Sequence, residues 1–125
     1  MTDTLELSRQ LNACIKDSDV YKNYQYCKDK FRQKRYQAIK EKVHGFPKLE
    51  SQITEFRKKN YEIQNNEMLD NPYDEVNNLF MEYDSIVHDT IVNDFIRAEQ
   101  KLVRMMKLVY EQIADDLDFD IIDED

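Results

Sequence analysis

Apolar residues recur along this chain at spacings of three and four, the period of helices that bury one face. Leu7, Leu11, Cys14 and Ile15 form the first such stripe. Asp3 or Thr4 begins it, with Glu6 placed as the reciprocal half of a capping box if Asp3 is the cap. Ser18 followed by Asp19 reads as the cap and first turn of a second helix, because a negative charge there favours the helix dipole. That helix is expected to run to about His44, on a narrow stripe of Val20, Tyr24, Cys27, Phe31 and Ala38. Gly45 then precedes Phe46-Pro47. A Gly just past a helix accepts the left-handed conformation and the Pro ring blocks continuation, so this is the predicted stop. A third helix, about 48–65, carries Leu49, Ile53, Phe56 and Ile63. Asn71 as cap with Pro72 in the first turn starts a fourth, whose stripe is Val76, Leu79, Phe80, Tyr83 and Ile86-Val87.

The last helix, capped by Asp89 or Thr90, is different. From Ile91 to Leu117 its apolar residues fill roughly half the circumference at 100° per residue. A surface helix of a monomer needs a stripe of only about 100°. The surplus implies contact on two sides, either with several helices of its own chain or with a second subunit. Glu99 lies inside that arc, flanked by Phe95, Ala98 and Leu102. A carboxylate there needs a Lys or Arg partner or an open groove, because an unpaired buried charge is costly; the ion pair is the favoured reading. The expected fold is therefore all-α: about five helices in an open bundle of helical hairpins, ending in a long amphipathic helix. Residues 1–114 form the single domain and 115–125, with seven acids and no base, a solvated tail whose Phe119, Ile121 and Ile122 are apolar.

Composition supports this and narrows the chemistry. One Gly and two Pro in 125 residues exclude a β-sandwich or barrel, and also a Gly-rich phosphate loop. No apolar run approaches a membrane span, and the acid-bearing start is not a signal peptide. Cys14 and Cys27, with no secretory signal before them, point to a reducing cytosol. Both occupy apolar-stripe positions and are expected in the core.

Charge is unevenly spread. The chain carries −8 overall. Lys22 to Lys42 holds eight bases and two acids, whereas Asn60 to Ile96 holds nine acids and no base. These stretches are suited to attract each other within the chain or between subunits. Lys28, Lys30, Arg32, Lys34 and Arg35, interleaved with Tyr24, Tyr26, Phe31 and Tyr36, also have the mix of single-stranded nucleic-acid platforms. They are the candidate nucleic-acid contact and the alternative functional reading. Direct RNA binding is disfavoured, because these bases spread around the helix and the domain as a whole is acidic.

Candidate catalysis is thin. His88-Asp89 invites comparison with metal phosphohydrolases, but the sole other histidine is His44, too few ligands for such a site. No Ser or Thr sits in a nucleophile elbow, and no Glu-x-x-His pair of the carboxylate-bridged metal type occurs. No catalytic residue, cofactor or metal is expected.

The segment Val92-Asn93-Asp94-Phe95-Ile96-Arg97-Ala98-Glu99-Gln100-Lys101-Leu102 resembles the final-helix signature of the YlbF/YmcA/YheA family. Leu11, Ile15, Ser18, Tyr21 and Tyr24 resemble its opening pattern, and Ile53-Thr54-Glu55-Phe56-Arg57 its middle element. The likeness covers roughly Leu5 to Ala114. It implies a small cytosolic helical regulator, not known as an enzyme, that forms dimers or hetero-oligomers with related helical proteins. Members act in competence, sporulation and biofilm formation and associate with the endoribonuclease RNase Y, influencing mRNA processing. On that resemblance, Phe95, Ala98, Glu99 and Leu102 belong to a packing or partner surface, extended along the same face by Met106, Val109 and Ile113. Two departures stand out: the stretch from Tyr24 to Ile53 is longer and more basic than in typical members, and the tail lacks the cysteine that some members use for iron–sulfur binding.

Overall fold

The computed structural model describes residues 3–66 and 72–117, and in it side chains cap the starts of three helices. Helix α1 spans Thr4–Asp17; Asp3 caps it by accepting from the Glu6 N–H at 2.7 Å. Ser18 both ends α1 and starts α2, Asp19–Lys40. Its backbone is extended, its N–H donates to the Ile15 carbonyl, and its hydroxyl oxygen accepts from the Tyr21 N–H. One residue thus turns the chain between two helices while leaving few backbone groups unsatisfied.

The second boundary differs from expectation. Helix α2 stops at Lys40, four residues before His44, and the left-handed residue that follows is Lys42, at φ 53°. Gly45, at φ 84°, is instead the N-cap of α3, Phe46–Gln64, with Pro47 in the first turn. The Pro ring that blocks one helix from continuing is equally at home at the start of the next.

Helix α4 spans Tyr73–Glu82 and the four-residue α5 spans Asp84–Val87. The expected single fourth helix is therefore two, interrupted at Tyr83 (φ −106°, ψ 58°). The break lets Phe80, Tyr83 and Ile86 all point into the core. Pro72 stands at the cap position of α4, and the predicted cap Asn71 lies outside the described residues. Helix α6 spans Thr90–Ile113, capped by Asp89, whose carboxylate accepts from the Val92 N–H at 3.1 Å. The described residues thus hold six helices where about five were expected, and the all-α class stands. The tail lies mostly outside them.

The dominant packing is between α2 and α6, which run antiparallel. Phe31 stacks on Phe95 with ring centroids 4.8 Å apart, and Tyr24, two turns earlier on α2, tilts against the same ring. On the other side of α6, Phe56 of α3 is fully buried and meets Phe80 at 4.9 Å and the edge of Tyr83 at 5.8 Å. Ile86, Val92 and Ile96 complete this centre. Offset and tilted aromatic contacts of this kind add to area burial because ring edges and faces carry opposite partial charge.

Cys27 joins the core, as expected, and burial pushes its thiol pKa up, with the Asp94 carboxylate adding to the effect. Cys14 does not: it is exposed on α1. The reason is that α1 buries none of its residues. It runs on from α2 beyond the core, beside the C-terminal half of α6, where no third helix covers the pair.

Candidate functional site

The two halves of α6 have different surroundings. From Val92 to Gln100 the helix contributes Val92, Phe95, Ile96, Ala98 and Gln100 to the buried interior. Beyond Gln100 none of its side chains is buried. The wide apolar arc is therefore satisfied by the chain's own helices at one end and left open at the other.

That divides the seven residues assigned to a partner surface. Phe95 and Ala98 are buried against the chain's own helices, and so are not available on an open face. Glu99 is held by Arg57 of α3 through two parallel hydrogen bonds, Nε to Oε1 at 2.9 Å and Nη2 to Oε2 at 2.6 Å. The Arg57 guanidinium also lies 5.5 Å over the Phe95 ring. Pairing raises the Arg57 pKa above its already high value, and burial together with the Glu99 charge raises that of Tyr24. The expected ion pair exists, and the sequence alone had not singled out Arg57.

Leu102, Met106, Val109 and Ile113 remain on the open half. Met106, Val109 and Ile113, with Tyr110, face Leu7, Leu11 and Ile15 of α1 across a groove of about 400 Å³. Leu7, Tyr110 and Ile113 are each more than half exposed. Two amphipathic helices lie side by side, each with its apolar stripe turned to the gap, and neither fills it.

The basic stretch of α2 is largely engaged within the chain. Lys34 pairs with Asp89 at 2.9 Å and Arg35 with Glu50 of α3. The ammonium groups of Lys28 and Lys30 lie over the rings of Tyr24 and Tyr26, and Arg32 is exposed. Tyr24 and Phe31, needed as stacking surfaces, are turned into the α2–α6 seam. The attraction expected between the basic and acidic stretches is thus made within one chain, at Lys34–Asp89.

His88 and Asp89 do not act together. His88 Nε2 lies 3.0 Å from Asp84, with both side chains mostly in solvent, while Asp89 caps α6 and binds Lys34. Among the described residues no group of three or more His, Cys, Asp and Glu is placed to hold a metal ion, and no helix is long and apolar enough to cross a membrane.

One feature escaped the sequence reading. Arg97, Lys101 and Arg104, spaced four and three apart, line a second cavity of about 460 Å³ between α3, α4 and α6. Their spacing, which sets all three on one polar face of α6, is the signal in the sequence that marks them.

Comparison with known proteins bears on this layout. The family model described as control of competence regulator ComK, YlbF/YmcA, matches residues 32–118. A UPF0342 protein of Symbiobacterium thermophilum is 28% identical over 116 residues, covering 91% of this chain and 93% of the relative. A UPF0342 protein of Caldicellulosiruptor bescii is 23% identical over 121 residues, covering 95% and 92% respectively. No solved structure matches. The matched span begins inside α2, just after Phe31, and takes in the Arg57–Glu99 pair and the open half of α6.

Proposed function

Because the chain belongs to the YlbF/YmcA family of competence regulators, we propose that it is a non-catalytic regulatory subunit that works by binding other proteins through the open half of α6 and α1. The observation that carries this reading is the groove between those helices. Leu7, Leu11 and Ile15 on one side and Met106, Val109 and Ile113 on the other expose apolar surface that the chain's own core does not use. A contiguous apolar patch rimmed by polar residues is the usual mark of a protein interface. Its occupant is a second copy of the chain or a related helical protein, whose own amphipathic pair would supply matching ridges.

In this reading the assembled form, acting in the cytoplasm, engages RNase Y and thereby influences mRNA processing in competence, sporulation or biofilm formation. That finer assignment is what the resemblance to YlbF/YmcA/YheA members implies. The alternative, an RNA-associated factor using Lys28 to Lys42, has less support, because Lys34 and Arg35 are taken up in ion pairs and Tyr24 and Phe31 in the seam.

Native mass by light scattering across a dilution series, with and without the cytoplasmic region of RNase Y, tests the proposal. A dimer or larger assembly that also co-elutes with the nuclease is expected. A monomer at every concentration that ignores the nuclease would overturn it.

A further inference from the structure

The cavity between α3, α4 and α6 has a basic wall in a chain that is acidic overall. Three cations from one face of α6, Arg97, Lys101 and Arg104, line it, and no carboxylate among the described residues does. Neither Lys101 nor Arg104 makes an ion pair among the described residues. Arg97 is oriented for the site: its guanidinium lies 4.5 Å over the Phe80 ring and its Nε donates to Asn93 at 3.2 Å. In a chain of net charge −8, three like charges gathered at one concavity repel one another unless an anion joins them.

The cavity also borders unsatisfied hydrogen-bonding capacity. Gln64, 7% exposed at the end of α3, lines it, and its buried Nε2 has no hydrogen-bond partner among the described residues. Buried amide nitrogens are nearly always paired, so an orphan at a pocket wall suits a ligand that carries an acceptor. Hydrogen bonds tie the walls beside it together. Gln100 donates to Asn60 at 3.1 Å, and Lys107 donates to the Gln64 carbonyl at 2.9 Å, tying α6 to the end of α3.

We propose that this cavity binds a small phosphorylated molecule bearing two or more anionic groups, held by Arg97, Lys101 and Arg104. Seven residues of helix separate the outer two bases by about 10 Å along the axis, more than one phosphate spans. Arg forks bind phosphate oxygens two at a time, and Lys adds a point charge. Side chains therefore do here what backbone N–H groups do in glycine-rich loops, which this chain lacks. The volume of about 460 Å³ falls within the range of small-molecule sites. The site is independent of the association surface: at 100° per residue its bases lie about 180° around α6 from Met106 and Ile113.

Calorimetric titration of the full chain with pyrophosphate and with ADP, at low salt and at about 0.15 M, tests this. At least one probe is expected to bind, and the Lys101→Ala/Arg104→Ala variant to weaken it by about tenfold or more with its melting temperature unchanged. A Lys28→Gln/Lys30→Gln variant, altered on α2, is expected to bind like the parent. Absence of binding by both probes at low salt, or equal weakening in the two variants, would overturn the proposal, the latter by showing a general charge effect.

Discussion

Arg57 and Glu99 are 42 residues apart in sequence and form the two-pronged ion pair that fastens α3 to α6 beside the Phe95 ring. Glu99 sits in the apolar arc with its side chain 17% exposed, while Arg57 is about half exposed. The pair therefore reaches from the core to solvent. It lets a carboxylate occupy a packing face without leaving a buried charge unmatched. One residue past this pair, beyond Gln100, the side chains of α6 cease to be buried.

Removing one partner is expected to cost more than removing both. Arg57→Ala leaves Glu99 without its donors and should lower stability by about 2 kcal/mol, a value reduced for the exposure of Arg57. Arg57→Leu combined with Glu99→Leu should recover much of that loss. Urea unfolding of Arg57→Leu, Glu99→Leu and the double variant gives the coupling directly; strict additivity would show that the pair is energetically idle.

The Phe31–Phe95 stack is the centre of the α2–α6 seam. Phe95→Ala should destabilise by about 3–5 kcal/mol, as for other buried Phe truncations, and loosen α2 and α1 together. Thermal melting followed by circular dichroism reads the first effect. Hydrogen exchange along α2 reads the second.

Asp89 does two jobs, capping α6 and pairing with Lys34. Asp89→Ala loses both and should cost about 1–2 kcal/mol. Asp89→Asn keeps a cap acceptor and loses the charge pair, so it should recover most of the deficit, because a partly exposed ion pair is worth little. Equal losses in the two variants, measured by chemical denaturation, would place the energy in the pair rather than the cap.

Charge placed on the two halves of α6 should act differently. Ile96→Asp enters the core and should unfold the protein. Met106→Asp falls on the open half, 42% exposed, and should leave helicity intact while lowering native mass. Circular dichroism and light scattering on the same samples separate the two effects. A Met106→Asp protein of unchanged mass would remove this face from the interface.

Stability should decline on the alkaline side. The folded pKa of Cys27 is raised, so its contribution is complete below the ordinary thiol value of about 8.5 and is lost as pH rises through the folded value. Tyr24, also raised, extends the same slope to higher pH. A Cys27→Ala variant should show a flatter onset above the ordinary thiol value of about pH 8.5 in unfolding free energy than the parent.

Much of this was legible in the sequence because its causes are local. The caps at Asp3, Ser18 and Asp89 bind N–H groups three residues away, so a tetrapeptide suffices to see them. The apolar period shows helices for the same reason, and the lone acid in the arc of α6 announced that a cation must come to it. What only the tertiary structure decided depends on which helix stands beside which. Gly45 serves α3 rather than α2, and Tyr83 splits a helix so that three large side chains share one core. Cys14 and Cys27 occupy similar stripe positions, yet one is covered by α6 and the other by nothing. Periodicity states that a face is apolar, not what meets it. The helices of this chain run out before the face of α6 does, leaving an open groove on one side and three gathered cations on the other.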